Sequence, residues 1–203
     1  DLSLRYKDGA DHGSVGLFYS SFANYLAETN TGRYRNDDGD LLAAGSDGAL
    51  PEARYQGVPA RLYGLEAENV TRVLHRDGHA LDLGLSGDYT VSRNRDTGRS
   101  LPRIPPLRLR VALDYGYGPY SAGISVSKAF AQHDHPANDT STPGYYSLDA
   151  NAGYRFKTIG VQWQAYVRGI NLTNQDIRYA TSVLRDVAPE GGRAVMVGLR
   201  GSF

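Results

Sequence analysis

The sequence runs to 203 residues with no cysteine and with 22 basic residues balanced by 22 acidic ones. Disulfides and thiol chemistry are excluded, and the lack of a basic excess speaks against a nucleic-acid partner. No apolar run approaches the roughly twenty residues of a spanning helix. The mean hydropathy of −0.45 still suits a membrane-spanning sheet, whose strands are apolar on one face only.

Alternation with a period of two starts at once. Leu2, Leu4 and Tyr6 stand against Ser3 and Arg5, which predicts a first strand near Leu2–Tyr6. No charged-then-apolar leader precedes it, so the sequence is expected to be a C-terminal piece of a longer protein. A short link, Asp8-Gly9-Ala10-Asp11, with His12 beside it, leads to a strand near Val15–Tyr25. The polar stretch from Ala27 to Gln56 carries Asp37, Asp38, Asp40 and Asp47. It lacks the spacing and terminal glutamate of an EF-hand and is expected to be a flexible lid.

A strand near Ala60–Val70 follows, with Tyr63, Leu65 and Ala67 on one face and Glu66 and Glu68 on the other. The two carboxylates are expected to pair with arginines of a facing wall or of protein plugging the space between, since nothing completes a catalytic set around them. His75 and His79 flank the turn Arg76-Asp77-Gly78, where turn polarity explains them better than chelation. The strand near Leu81–Val91 sets Leu81, Leu83, Leu85, Tyr89 and Val91 against Asp82, Gly84, Ser86, Asp88 and Thr90.

Prolines in Leu101–Pro106 cannot donate to a ladder and hold the chain extended before the strand near Leu107–Tyr117. After Gly116-Tyr117-Gly118-Pro119 a strand near Tyr120–Phe130 opens into a long link from Ala131 to Gly144. That link contains His133, Asp134 and His135, the one cluster with metal-ligand character. In an extended segment both imidazoles point the same way. Imidazole and carboxylate suit zinc, which takes about four ligands, so the remainder would come from elsewhere.

Strands near Tyr145–Phe156 and Val161–Ile170 flank the turn Lys157-Thr158-Ile159-Gly160. The long link Asn171–Gly192 then leads to a last strand, Arg193–Phe203. There Val195, Val197, Leu199 and Phe203 oppose Met196, Gly198, Arg200 and Ser202. A strand with one apolar face that finishes on an aromatic suits the wall of a bilayer barrel. Asn69, Asn138 and Asn171 head N-x-T sequences that are coincidental in such a protein.

Nine strands result, joined by short and long links in strict alternation. A transmembrane barrel requires this pattern, with tight periplasmic turns and long extracellular loops; an antiparallel sandwich does not. Single-chain bacterial barrels have even strand numbers, so the nine should leave an open edge near Asp1.

Several motifs together resemble the TonB-dependent outer-membrane receptors. They are Phe18-Tyr19 with Phe22-Ala23-Asn24-Tyr25, the Tyr63-Gly64-Leu65-Glu66-Ala67-Glu68 strand and the Leu101–Pro106 run. Asn171-Leu172-Thr173-Asn174-Gln175 and the sequence from Gly191-Gly192-Arg193 to Phe203 complete them. The resemblance covers the whole sequence and implies an all-β fold: a transmembrane antiparallel β-barrel, of which residues 1–203 are about nine C-terminal strands of a 22-stranded, plugged barrel. Within the family the sequence is most similar to the zinc receptors of the ZnuD type. That likeness rests on Asn24-Tyr25, Ala53–Glu68, Pro102-Arg103-Ile104-Pro105, Phe130-Ala131-Gln132 with Thr142-Pro143-Gly144, and Ser182–Asp186.

The resemblance implies transport, not enzymology, in the bacterial outer membrane. Zinc is then expected as cargo with no resident cofactor, and His133, Asp134 and His135 as its loop ligands. Gly198, Leu199 and Phe203 are expected to form the outer-membrane assembly signal. The implied partners are outer-membrane lipid and lipopolysaccharide, the receptor's own plug domain, the TonB energy-coupling complex acting through a TonB box, and the barrel assembly machinery. A ferric-siderophore or haem receptor, a passive porin or adhesin barrel, and a soluble β-sandwich are the rival readings.

Overall fold

A computed structural model describes residues 1–136 and 139–203. Ten strands form one antiparallel sheet: β1 (Leu2–Asp8), β2 (Asp11–Arg35), β3 (Leu41–Leu42), β4 (Leu50–Arg76), β5 (His79–Asn94), β6 (Arg108–Tyr117), β7 (Tyr120–Ala129), β8 (Tyr145–Thr158), β9 (Val161–Ile170) and β10 (Ala194–Ser202). Nine follow one another as a meander, and the two-residue β3 pairs only with the end of β2. The expected strand count holds for the wall. β1 and β10 each have a single neighbour, so this sheet is an open arc. No second sheet stacks on it among the described residues, which sets the sandwich reading aside.

Short and long connections alternate as expected. At two of the tight turns both central residues have positive φ: Asp77 and Gly78 (52° and 80°), and Ile159 and Gly160 (45° and 80°). Turns of this hand match the twist of the flanking strands. They keep the short-turn end of the wall compact.

Directly paired residues share a face, and the register assembles a continuous apolar band. One row runs Leu2–Leu17–Leu65–Tyr89; another runs Leu85–Val111–Val126–Leu148. Ala152, Val167 and Val197 continue the band to β10. Its side chains remain open, as at Leu4 (76 % exposed) and Val197 (82 %). Water would tolerate such a band poorly, whereas hydrocarbon is its natural solvent and the ladder satisfies the backbone.

Aromatic rings edge the band, as interfacial girdles do. At the short-turn end Tyr120, Tyr154, Phe156 and Trp163 stack in sequence with centroids 5.0, 5.8 and 6.5 Å apart. Toward the long-loop end Tyr19 lies over Tyr63 at 6.4 Å.

Two expectations change. The stretch from Ala27 to Gln56 is largely ladder, not a lid. β2 and β4 stay paired out to Arg35 and Leu50, with irregularities between Phe22 and Tyr25 and between Asn30 and Tyr34. Thr29, Thr31, Tyr34 and Tyr55 supply strand-favouring side chains there, and polarity alone disguised the strand as loop. The proline run is also more than a lead-in to β6. It folds over the polar side of β2 and β4, burying Leu101 (2 % exposed) with Ala27, Val58 and Ala60. The sequon at Asn138 lies outside the described residues.

Candidate functional site: the lumenal face and its mouth

The face opposite the apolar band is polar and concave. Ser14, Glu66, Glu68, Asp88, Arg108 and Arg110 line a trough of about 860 Å³, reached at one end by Tyr179 of the β9–β10 loop. Glu66 and Glu68 lie on this lumenal face, as the alternation required. Neither forms an ion pair among the described residues, and the partners expected of them, on a facing wall or a plug, lie outside this arc. Glu68 instead accepts a hydrogen bond from Ser14 Oγ at 3.1 Å. Two arginines on this face serve other carboxylates. Arg108 Nε lies 3.0 and 3.1 Å from the Asp88 oxygens, and Arg72 grips Asp82 through two bonds of 2.7 and 2.8 Å. These are wall pairs, with no general acid or base among them.

Above the trough, loops converge on a mouth. Ser92, fully buried, binds Ser100 Oγ at 2.9 Å and accepts the Leu101 amide at 2.9 Å. These bonds pin the β5–β6 loop inward. Three arginine–carboxylate pairs then link neighbouring segments: Arg103 with Glu28, Arg93 with Asp134, and Arg185 with Asp139. Each ties one loop or strand end to the next, so the mouth is a connected rim. Arg185 is only 8 % exposed and also donates to the Thr140 carbonyl at 3.2 Å. Tyr179 meets Tyr145 edge-to-face at 6.0 Å. The rim encloses a second cavity of about 640 Å³ whose lining includes Glu28, Arg99, Arg103, Asp139 and Arg185.

His133, Asp134 and His135 follow the Gln132–Thr142 bridge on the β7–β8 loop. His133 and Asp134 are exposed, and His135 is half-buried. Their contacts diverge. His133 Nδ1 is 3.3 Å from Ser141 Oγ, His135 Nδ1 is 2.9 Å from the Pro136 carbonyl, and Asp134 is held by Arg93. Among the described residues no three histidine, aspartate or glutamate side chains are grouped to hold one ion.

The remaining histidines serve turns. His12 Nδ1 lies 3.0 Å from the Ala10 carbonyl. His79 stacks on Tyr117 at 4.0 Å and meets the Tyr115 hydroxyl at 2.6 Å. His75 pairs with Ala80, one residue out of step with the Arg76–His79 pair, so the two imidazoles take opposite faces and cannot chelate together. Of the loop aspartates, Asp40 closes a tip turn through its amide and Asn36 Oδ1 at 2.7 Å.

Sequence reasoning missed the rim. Its one usable signal was Asn171-Leu172-Thr173-Asn174, which folds the loop. Asn171, 1 % exposed with φ of 47°, donates to the Gln175 carbonyl at 2.9 Å and accepts the Gln175 amide at 2.9 Å. Asn174 Oδ1 accepts the Arg193 amide at 2.9 Å, which brings the loop back to the start of β10. On that strand Gly198 faces the lumen opposite Tyr166, Leu199 faces outward opposite Ala165, and Phe203 follows fully exposed.

Residues 1–172 match the family model described as "TonB dependent receptor-like, beta-barrel". Solved structures share the wall. The copper transporter OprC superposes with a TM-score of 0.73 at 20 % identity, over 99 % of this chain and 30 % of that one. A variant of the ferric enterobactin receptor PfeA from Pseudomonas aeruginosa gives 0.64 at 17 % identity, over 97 % and 29 %. The siderophore receptor PirA from Acinetobacter baumannii gives 0.59 at 15 % identity, over 96 % and 30 %. The chain thus spans about a third of the length of these structures, and at such identities the likeness is one of fold. The family is one of bacterial outer-membrane transport barrels, not enzymes, so the apolar band faces lipid. This chain belongs to the TonB-dependent receptor β-barrel family.

Proposed function

We propose that residues 1–203 are the C-terminal portion of a receptor barrel that imports a scarce metal across the outer membrane, zinc first. His133, Asp134 and His135 are its loop ligands at the mouth. The plug domain and the TonB energy-coupling complex act through polypeptide beyond this sequence. Outer-membrane lipid and lipopolysaccharide surround the apolar band, and the assembly machinery reads Gly198, Leu199 and Phe203. What supports the metal reading is the donor set on the mouth loop, a carboxylate between two histidines, with Asp134 held in this structure by Arg93. Two imidazoles and a carboxylate within three residues are a borderline-soft donor set suited to zinc. Binding would exchange the Asp134–Arg93 pair for metal coordination.

A ferric siderophore or haem is the second reading. Arg99, Arg103 and Arg185 line the mouth cavity and suit an anionic chelate, and two of the similar structures are named as ferric enterobactin and siderophore receptors. Titration of the purified full receptor with zinc, copper, a ferric catecholate and haem separates the readings. The zinc proposal expects saturable zinc binding that His133→Ala with His135→Ala abolishes. Tight binding of the ferric chelate or haem with no zinc binding would overturn it.

A further inference from the structure

Charge on the lumenal face is distributed unevenly. On β5 the acids Asp82 and Asp88 are already matched by Arg72 and Arg108. On β8, β9 and β10 the same face carries Arg155, Lys157, Arg168 and Arg200, all exposed. Among the described residues none of these four forms an ion pair.

The register concentrates three of them, Arg155, Lys157 and Arg200, at the short-turn end, with Arg168 two rows above. Arg155 and Arg200 flank Gln164 in one row, two strand spacings or about 10 Å apart. Lys157, Gln162 and Ser202 form the next row. A hollow of about 560 Å³ lies against Arg155, Lys157, Gln164 and Arg200. Two acids share this face nearby. Asp114 lies in the row of Arg168 but across Gly123 and Asn151, about 14 Å away. Asp149 is engaged by Ser147 Oγ at 3.1 Å and the Asn171 amide at 2.8 Å. Neither neutralises the group.

Cations about a Debye length apart are tolerable in open water. Inside a lumen filled by protein they repel, and they select whatever carries the opposite charge. The chain spans only about a third of the length of similar receptors, so most of such a receptor lies outside it. We infer that the short-turn end of the lumenal face of β8–β10 docks a carboxylate-rich segment of the polypeptide that fills the receptor's lumen. This rests on the reading of the chain as the wall of a plugged barrel. The contact sets the rotational position of that filler against the wall, because around β4 the cations Arg5 and Arg110 are interrupted by Glu66 and Glu68, whereas β8–β10 present three cations together.

The test uses the full receptor in outer-membrane vesicles, with a photo-crosslinking residue in place of Gln164. The expected adduct lies in the lumen-filling domain, on a segment bearing several aspartates or glutamates. Amide exchange of that segment should quicken about tenfold when Arg155→Glu, Lys157→Glu and Arg200→Glu are combined, a loss of docking strength read as local opening. Should the reversed wall fail to assemble, Arg155→Gln, Lys157→Gln and Arg200→Gln together should still quicken it about threefold. Adducts on a segment without carboxylates, or unchanged exchange in the assembled variants, would overturn the inference alone. So would protection that depends only on added inorganic phosphate. If the intact protein proves to have no lumenal domain, the plugged-barrel reading itself fails.

Discussion

The phenol of Tyr166 lies against Gly198 on the lumenal face, so close that a Cβ at position 198 would stand 2.3 Å from Tyr166 Cζ. The two residues are direct partners across β9 and β10, and the missing side chain of one is the space occupied by the other. An aromatic over a cross-strand glycine also shields backbone that glycine leaves bare. Gly198→Ala should therefore overpack this row at a cost of about 1–3 kcal/mol. In the full receptor it should lower the urea midpoint in detergent, and Tyr166→Ala in the same chain should recover part of the loss. An unchanged midpoint would remove the packing argument for this glycine.

Ser92 holds the β5–β6 loop from within. Replacing it by Ala leaves the Ser100 hydroxyl and the Leu101 amide buried without a partner, each costing roughly 1–3 kcal/mol. Amide exchange at Leu101 should accelerate while exchange in β7 stays as it was. Equal protection in the variant would mean that the loop is held by its apolar contacts alone.

Glu52 gives the projecting β2–β4 hairpin a pH response. The Thr31 hydroxyl at 2.7 Å, followed by Arg35, holds its carboxyl below the usual value of 4.5. A carboxyl depressed in the folded state contributes stability that is complete above its unfolded pKa and is lost as pH falls through the lower, folded value. The protection factor of amides at the hairpin tip, exchange rate corrected for its intrinsic pH dependence, should fall as pH drops below that unfolded value. Glu52→Gln should flatten the dependence, and a tip insensitive to pH in the parent chain would refute it.

Ile159 sits at φ of 45° in the β8–β9 turn and is fully exposed. A β-branched residue in the left-handed region is strained by about 1–2 kcal/mol, and asparagine tolerates that region better. Ile159→Asn should stabilise the turn by roughly 1 kcal/mol in a urea titration. A destabilised variant would show that the isoleucine makes a compensating contact at the membrane surface.

Period-two alternation was enough to place the wall strands. Val161–Ile170 is bounded in the structure as the alternation predicts, and Gly198 and Leu199 take the faces expected of them. These outcomes are local. Side-chain direction has a period of two along any strand, and a one-sided solvent writes that period into the residues. The Asp77-Gly78 turn was legible for the same reason, since its geometry depends on its own two residues.

The hairpin beyond Tyr25 and the inward fold of Leu101 were not legible, because both depend on partners far away in the chain. A polar strand in water carries no apolar stripe, so only its pairing with Leu50–Val58 identifies it. The same holds at the mouth. His133, Asp134 and His135 were singled out by residue type, but Asp134 is committed to Arg93, forty-one residues earlier. Sequence by itself determined the wall, its faces and its alternation of turns and loops, since each follows from chain-local periodicity. Only the tertiary structure decided which arginine meets which carboxylate, how the loops close the mouth and where the lumen is left cationic. Those features depend on distances between strands, and spacing along the chain does not encode them.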